Sequence, residues 1–254
     1  MKEKVLYILK ITGLSLIIVA LLGYAVFAGI MADRWQREHL CTNFQVNILD
    51  FDKYQFICED DILREIDKRG LNPVGRNITS NLADKIEKNV ERINVVRRAE
   101  CYISNKGDLT INLTQRVPEF KVVANRHTYY LDSDRIPLKA NGVSVEITPL
   151  VTGYVSEELA SGKLYDLVKY IQNNEFWNEN IRVVNITPEG NIELYTNKGA
   201  EKLIINNLDT YQEKLELATL WYDQYTTAAW SERYTQVDLR YENLIFCKKG
   251  GKNE

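Results

Sequence analysis

From Ile11 to Ala32 the chain carries no charged residue, and Lys10 and Asp33-Arg34 bound the run on either side. Wound as a helix at about 1.5 Å per residue, these roughly 22 positions reach across a hydrocarbon core of about 30 Å. A cleaved signal peptide has an apolar stretch of only about 7 to 15 residues. Val26-Phe27-Ala28 resembles a weak cleavage site, but the apolar run continues through Ile30 and Met31, so a membrane anchor is the expectation. Lys2, Lys4 and Lys10 precede the span and Arg34 and Arg37 follow it. The charge bias is slight, but so short a leader belongs on the cytoplasmic side, which puts the rest of the chain outside.

Beyond the anchor remain roughly 210 residues, enough for two small domains. With 45% hydrophobic residues, 26% charged residues and a net charge of -3, the composition is that of an ordinary globular protein. Nucleic acid is not an expected partner. The basic pairs Arg97-Arg98 and Lys248-Lys249 have acidic or apolar neighbours and read as solvated strand ends, not as a phosphate-binding stripe. Cys41, Cys58, Cys101 and Cys247 lack the CxxC spacing of a zinc or redox site. A Cys41–Cys101 bridge is one reading, since both sit at strand edges of one small domain; small buried apolar residues is the other.

The pattern after the anchor is strand, helix, helix, strand, strand. Phe44, Val46 and Ile48 alternate along a half-buried strand. Glu59, Asp60 and Asp61 fit the first turn of a helix with Ile62, Leu63 and Ile66 on one side, and Gly70 stops it. Thr79 or Ser80 caps a second helix whose stripe is Leu82, Ile86, Val90 and Ile93. Residues 99–104 and 109–115 form a hairpin about Asn105-Lys106-Gly107-Asp108. Pro118 breaks this unit. Strands at 120–124 and 128–131 follow, with His127 in the turn between them and Asp132-Ser133-Asp134 turning the chain. Leu164, Leu167, Val168 and Ile171 mark a helix that Phe176-Trp177 close. Strands at 181–186, 192–196 and 202–205, a helix over 209–225 and strands at 235–241 and 244–248 complete the reading. The fold class is α+β: a transmembrane helix, a βααββ domain, and a mixed, strand-rich domain ending in an edge hairpin.

Several local stretches resemble the bacterial cell-division family FtsQ, called DivIB in Gram-positive bacteria, whose first extracytoplasmic module is a POTRA domain. Val95-Val96-Arg97-Arg98-Ala99 is similar to the segment leading into the second POTRA strand, and residues 109–118 to its closing strand, with Gln115 where the family has an acid. Tyr129-Tyr130-Leu131-Asp132-Ser133-Asp134 resembles the family's aromatic-Asp-x-x-Gly turn, with Arg135 replacing the glycine. Leu150-Val151-Thr152-Gly153 resembles its Leu-x-x-Gly step, and Val237-Asp238-Leu239-Arg240-Tyr241 its strand near the C-terminus. The organisation implied is a leader at 1–10, the span at 11–32, a POTRA-like domain at 41–117, an FtsQ-type β domain at 118–249 and a tail at 250–254.

The resemblance implies a non-catalytic, single-pass divisome scaffold in the inner membrane at the septum. It would bind the coiled-coil membrane proteins FtsB (DivIC) and FtsL, among other divisome components, and help regulate septal peptidoglycan synthesis. An exposed strand edge offers its backbone groups to a partner strand, and alternate side chains supply selectivity. The family's edge maps onto Tyr241, Glu242, Asn243, Leu244, Ile245, Phe246, Cys247 and Lys248, with Leu244 and Phe246 on one face and Ile245 and Cys247 on the other. An ordinary core strand is the plainer alternative. The family's aromatic beyond this strand has no counterpart in Gly250-Gly251-Lys252-Asn253-Glu254. Asp238 and Arg240 read as a fold-holding pair, and Arg97, Arg98 and Glu100 as a second surface or as protection of an edge.

Against an enzyme, the two histidines, His39 and His127, have no triad setting, and no HExxH, GxSxG, phosphate-binding or dinucleotide-binding loop occurs. Glu157-Glu158 reads as a loop pair with nothing to perturb it, and no cofactor or metal is expected. A membrane-anchored cell-wall hydrolase and a POTRA-bearing transport or outer-membrane assembly accessory remain alternatives. The glycosylation patterns Asn77-Ile78-Thr79 and Asn112-Leu113-Thr114 read as chance, the second lying within a strand.

Overall fold

The computed structural model describes residues 2–37, 40–104, 106–124, 127–139, 144–197, 202–225 and 234–250, with side chains in the first helix only over 12–31. Helix α1 (Lys2–Arg37) contains an apolar stretch, Thr12–Met31, of mean hydropathy 2.5, none of it buried. It is long and apolar enough to cross a membrane and fits a single-pass anchor. His39 and the tail 251–254 lie outside the described residues.

The chain divides into two compact units, 1–49 with 58–114, and 50–57 with 115–254. In the first, β1 (Phe44–Ile48), α2 (Glu59–Lys68), α3 (Ser80–Val90), β2 (Val96–Ile103) and β3 (Leu109–Gln115) follow the expected order. The sheet order is β1-β3-β2, with β1 parallel to β3. That pairing needs a crossover, which the two helices supply. Leu109, Ile111 and Leu113 of the central strand are buried, as are Ile62 and Ile66 of α2 and Ile86 and Val90 of α3, while Asn47 and Asn112 share a 2.9 Å hydrogen bond across the strands. Thr79 caps α3 through Leu82 N, 3.3 Å away. The buried stripe of α3 is Ala83, Ile86 and Val90: Leu82 is only partly covered, and Ile93 lies past the helix end. All four cysteines are free thiols, so the Cys41–Cys101 bridge is not made.

The second unit is a nine-stranded sheet with helices, in the order β4 (Pro118–Ala124), β5 (His127–Asp132), β6 (Pro137–Lys139), β7 (Leu150–Gly153), α4 (Glu157–Ser161), α5 (Lys163–Asn173), α6 (Glu175–Asn180), β8 (Ile181–Ile186), β9 (Ile192–Thr196), β10 (Lys202–Ile205), α7 (Tyr211–Tyr225), β11 (Tyr234–Asp238) and β12 (Phe246–Lys249). Across the sheet the order is β12-β11-β10-β9-β8-β7-β4-β5-β6. The parallel neighbours β7 and β8 are joined through α4 to α6, and β10 and β11 through α7. Leu164, Leu167, Val168, Ile171, Trp177, Leu215, Ala218 and Tyr222 from these helices share one core with Phe120, Val122, Val151, Val184, Leu194 and Val237 of the sheet.

Some local expectations need correction. Glu157 and Glu158 stand in the first turn of α4, where the helix dipole favours acids, and Ser156 caps that helix. Phe176 and Trp177 belong to a separate helix, capped by Asn174, and do not end α5. His127 is the first residue of β5 and pairs with Ala124. Gly153 has φ +95, and a Cβ there would stand 2.1 Å from the Ile186 carbonyl oxygen, so the close β7–β8 approach requires glycine.

Where the family places a glycine, Arg135 adopts a left-handed conformation with φ 63. The Asp132 carboxylate holds the turn, accepting from Asp134 N (3.0 Å), Ile136 N (2.8 Å) and Arg116 Nη1 (2.7 Å). The Arg135 guanidinium pairs with Asp166 at 2.6 Å and lies 4.7 Å from the Tyr165 ring centroid. These contacts offset a backbone cost of about 1 to 2 kcal/mol.

The segment 50–57 carries no periodic signal, yet it joins the second unit. Phe56 is buried and meets the Tyr130 ring edge-on, with centroids 5.4 Å apart. Gln115 N donates to the Asp50 carboxylate at 2.9 Å, and Gln115 Oε1 accepts from Phe56 N at 2.9 Å. Gln115 Nε2 donates to Tyr54 O and Asp50 Oδ1. Only an amide donates and accepts in this way. A glutamate, the family's usual acid, would lose the donor and stand against Asp50. Gln115→Glu is therefore expected to destabilise the fold at neutral pH by about 2 kcal/mol, measured by urea denaturation followed through tryptophan fluorescence.

Candidate strand-docking edge

The end of the sheet is built by α7. Because α7 carries the chain over between parallel neighbours, β11 lands outside β10, and its antiparallel partner β12 lands outside β11. No described strand lies beyond β12. Val237 pairs with Cys247 and Asp238 with Phe246, with a register irregularity between Tyr234 and Gln236. The strand begins only at Phe246, so Leu244 and Ile245 belong to the connection before it, whose turn is made by Asn243 at φ 52.

The two faces of this last ribbon differ. Tyr241, Leu244 and Phe246 are 50%, 56% and 53% exposed, and the Tyr241 and Phe246 rings meet edge-on with centroids 4.9 Å apart. Ile245 and Cys247 turn the other way and pack against the core. There they border an open groove of about 490 Å³, with Leu217, Leu220, Trp221 and Gln224 of α7 and Tyr234 of β11 as its other walls. Glu242, Asn243, Lys248 and Lys249 are exposed. The alternation expected for a docking strand is thus present. Large apolar side chains exposed beside a strand with no described neighbour on its outer side are the less usual arrangement for an edge, which more often carries charge.

Two polar contacts fix the ribbon. Asp238 receives Arg240 in a bidentate pair, Nε at 2.9 Å and Nη2 at 2.7 Å, and also the Arg240 amide at 3.1 Å. The other involves Lys214, a residue the sequence pattern did not single out. Although 9% exposed, it extends from α7 to donate to the Tyr241 carbonyl at 2.6 Å. A charged residue inside the apolar spacing Tyr211, Leu215, Ala218, Tyr222 was the available signal. Leu220 of the same helix is 61% exposed.

The other predicted surface lies on β2, an edge of the first sheet. Arg98 and Glu100 form an ion pair at 2.5 Å, and Tyr102 donates to the same carboxylate; Arg97 is exposed on the same strand. The Cys101 thiol is pushed up to about 12, first by burial and then by the Glu87 charge, which keeps it protonated. Among the described residues no group of three His, Cys, Asp or Glu could hold a metal ion.

The Asp238 carboxyl is held below the usual carboxylate range, first by the Arg240 side-chain hydrogen bonds, against an opposing burial effect, and then by the Arg240 amide and charge. A lowered folded pKa contributes stability above the unfolded value of about 3.9 and loses it as pH falls through the folded value. The stability difference between wild type and Asp238→Asn should therefore be constant above about pH 5 and shrink below about pH 4, as read by urea denaturation across pH.

Comparison with known proteins matches residues 39–114 to a POTRA-like domain and residues 117–248 to the domain described as FtsQ/DivIB, C-terminal related. No curated protein compared with the chain matches it. The second match alone covers more than half of the 254 residues, so the chain belongs to the FtsQ/DivIB family, cell-division scaffold proteins that are in general non-catalytic.

Proposed function

We propose that this chain is a non-catalytic, single-pass scaffold of the divisome that captures a coiled-coil membrane partner of the FtsB or DivIC type, together with an FtsL-type protein, by strand addition at β12. The observation that carries this reading is the position of β12 at the end of the sheet with Tyr241, Leu244 and Phe246 standing in solvent beside it. A partner strand laid along β12 would extend the sheet by backbone hydrogen bonds. Its alternate side chains would cover Leu244 and Phe246 on one face and enter the α7 groove beside Ile245 and Cys247 on the other. Glu242, Asn243 and Lys248 would form the polar rim, and Arg97, Arg98 and Glu100 a second contact surface.

The same reading orients the anchor with its short leader in the cytoplasm and both units outside, at the septum, where partner capture would help regulate septal peptidoglycan synthesis. Covering an aromatic side chain contributes about 2 kcal/mol or more at such an interface. Phe246→Asp is accordingly expected to weaken capture of the extracytoplasmic segment of the organism's own FtsB-type protein by about 30-fold, leaving the thermal melt unchanged. Unchanged capture would reject the edge, and a collapsed melt would show Phe246 to be core. A fluorescently tagged copy should gather at midcell in dividing cells; uniform distribution over the membrane would contradict the septal role.

A further inference from the structure

Strand β2 is as much a sheet edge as β12, but its outward row is occupied. The Cys101 amide donates to Glu87 Oε1 at 2.6 Å and the Ala99 amide to Glu91 Oε1 at 3.3 Å. Both glutamates stand on the side of α3 next to the strand: Glu87 lies within the helix and Glu91 at its C-cap. Residues two apart on a strand point their N–H groups the same way, so these amides form one row, facing away from β3. Two carboxylates from one helix therefore sit where the carbonyls of an added strand would.

The row has a self-complementary sequence. When two copies of β2 run antiparallel about Ala99, Ala99 faces itself and Arg98 of each copy stands opposite Glu100 of the other. Those two side chains lie on the solvent face, 72% and 41% exposed, and already pair within one chain. Opposite charges directly across a strand pair stabilise it, and here the register supplies two such pairs by symmetry. We propose that the outer row of β2 is a docking edge for a second copy of this chain, held shut in the single molecule by Glu87 and Glu91. Opening it returns two carboxylates to water and exchanges their hydrogen bonds for backbone ones. The edge invoked at β12 does not enter this inference; Arg98 and Glu100, named above as a second contact surface, are here assigned a second copy of the chain.

The test is the association state of the full chain in detergent, by sedimentation velocity. Glu87→Ala/Glu91→Ala is expected to dimerise at a concentration about 10-fold or more below that needed by wild type. Adding Arg98→Glu, which sets like charges opposite each other, should abolish the dimer. Combining Arg98→Glu with Glu100→Arg in the same background should restore it. A double-alanine variant that sediments as wild type, or a dimer indifferent to Arg98→Glu, would overturn the proposal. If the double-alanine variant does not fold, Glu87→Met/Glu91→Met, which keeps the length of the side chains and removes the accepting oxygens, takes its place, and the same two results would overturn the proposal.

Discussion

The parallel pairing of β10 with β11 is the constraint from which the candidate site follows. Parallel neighbours cannot be joined by a tight turn, so the chain must leave the sheet, run through α7 and return. The return puts β11 outside everything laid down before it. The hairpin that follows has nowhere to go but further out, and the Leu239 amide bonded to the Ile204 carbonyl at 2.9 Å carries the registry past the end of β11. Helix α7 also reaches the exit of this strand through Lys214, so the element that forces β12 to the edge also holds the Tyr241 connection in place.

The chain treats its two strand edges differently. At β12 the strand end is basic, with Lys248 and Lys249, but beside it stand three large apolar side chains with no covering element among the described residues. At β2 the exposed face is an ion-paired cluster, and the amides of the outer row are bonded to carboxylates from α3. Unprotected edges invite pairing, and sealing them is the common remedy. Among the described residues one edge is sealed and the other has no flanking strand, which is why the partner reading rests on β12.

Departures from the family's residues come with local compensation. Arg135 takes a glycine's conformation but ties its guanidinium to Asp166 and the Tyr165 ring. Gln115 stands in for an acid because its surroundings, the Asp50 carboxylate, the Tyr54 carbonyl and the Phe56 amide, demand both a donor and an acceptor. In each case the altered residue and its partners are separated in sequence by tens of residues.

Much of what one chain segment alone holds was legible, although the short helices α4 and α6 were not. The uncharged run from Ile11 to Ala32 appears as a helix long enough to span, and the period-two run at 109–115, the runs at 181–186 and 192–196 and the helical spacing of Leu164 to Ile171 appear as strands and helix. The alternation around Leu244 to Cys247 separated the two faces, and the fold decided which of them meets water. Lateral relations were not legible. That Phe56 belongs with Tyr130, that Lys214 holds Tyr241 and that Glu87 and Glu91 close β2 depend on hydrogen bonds and packing between remote segments, which leave no period in the sequence. A glutamate on a helix reads as solvated whether or not a strand edge lies within its reach, and only the folded chain decides which strand amides its carboxylate closes.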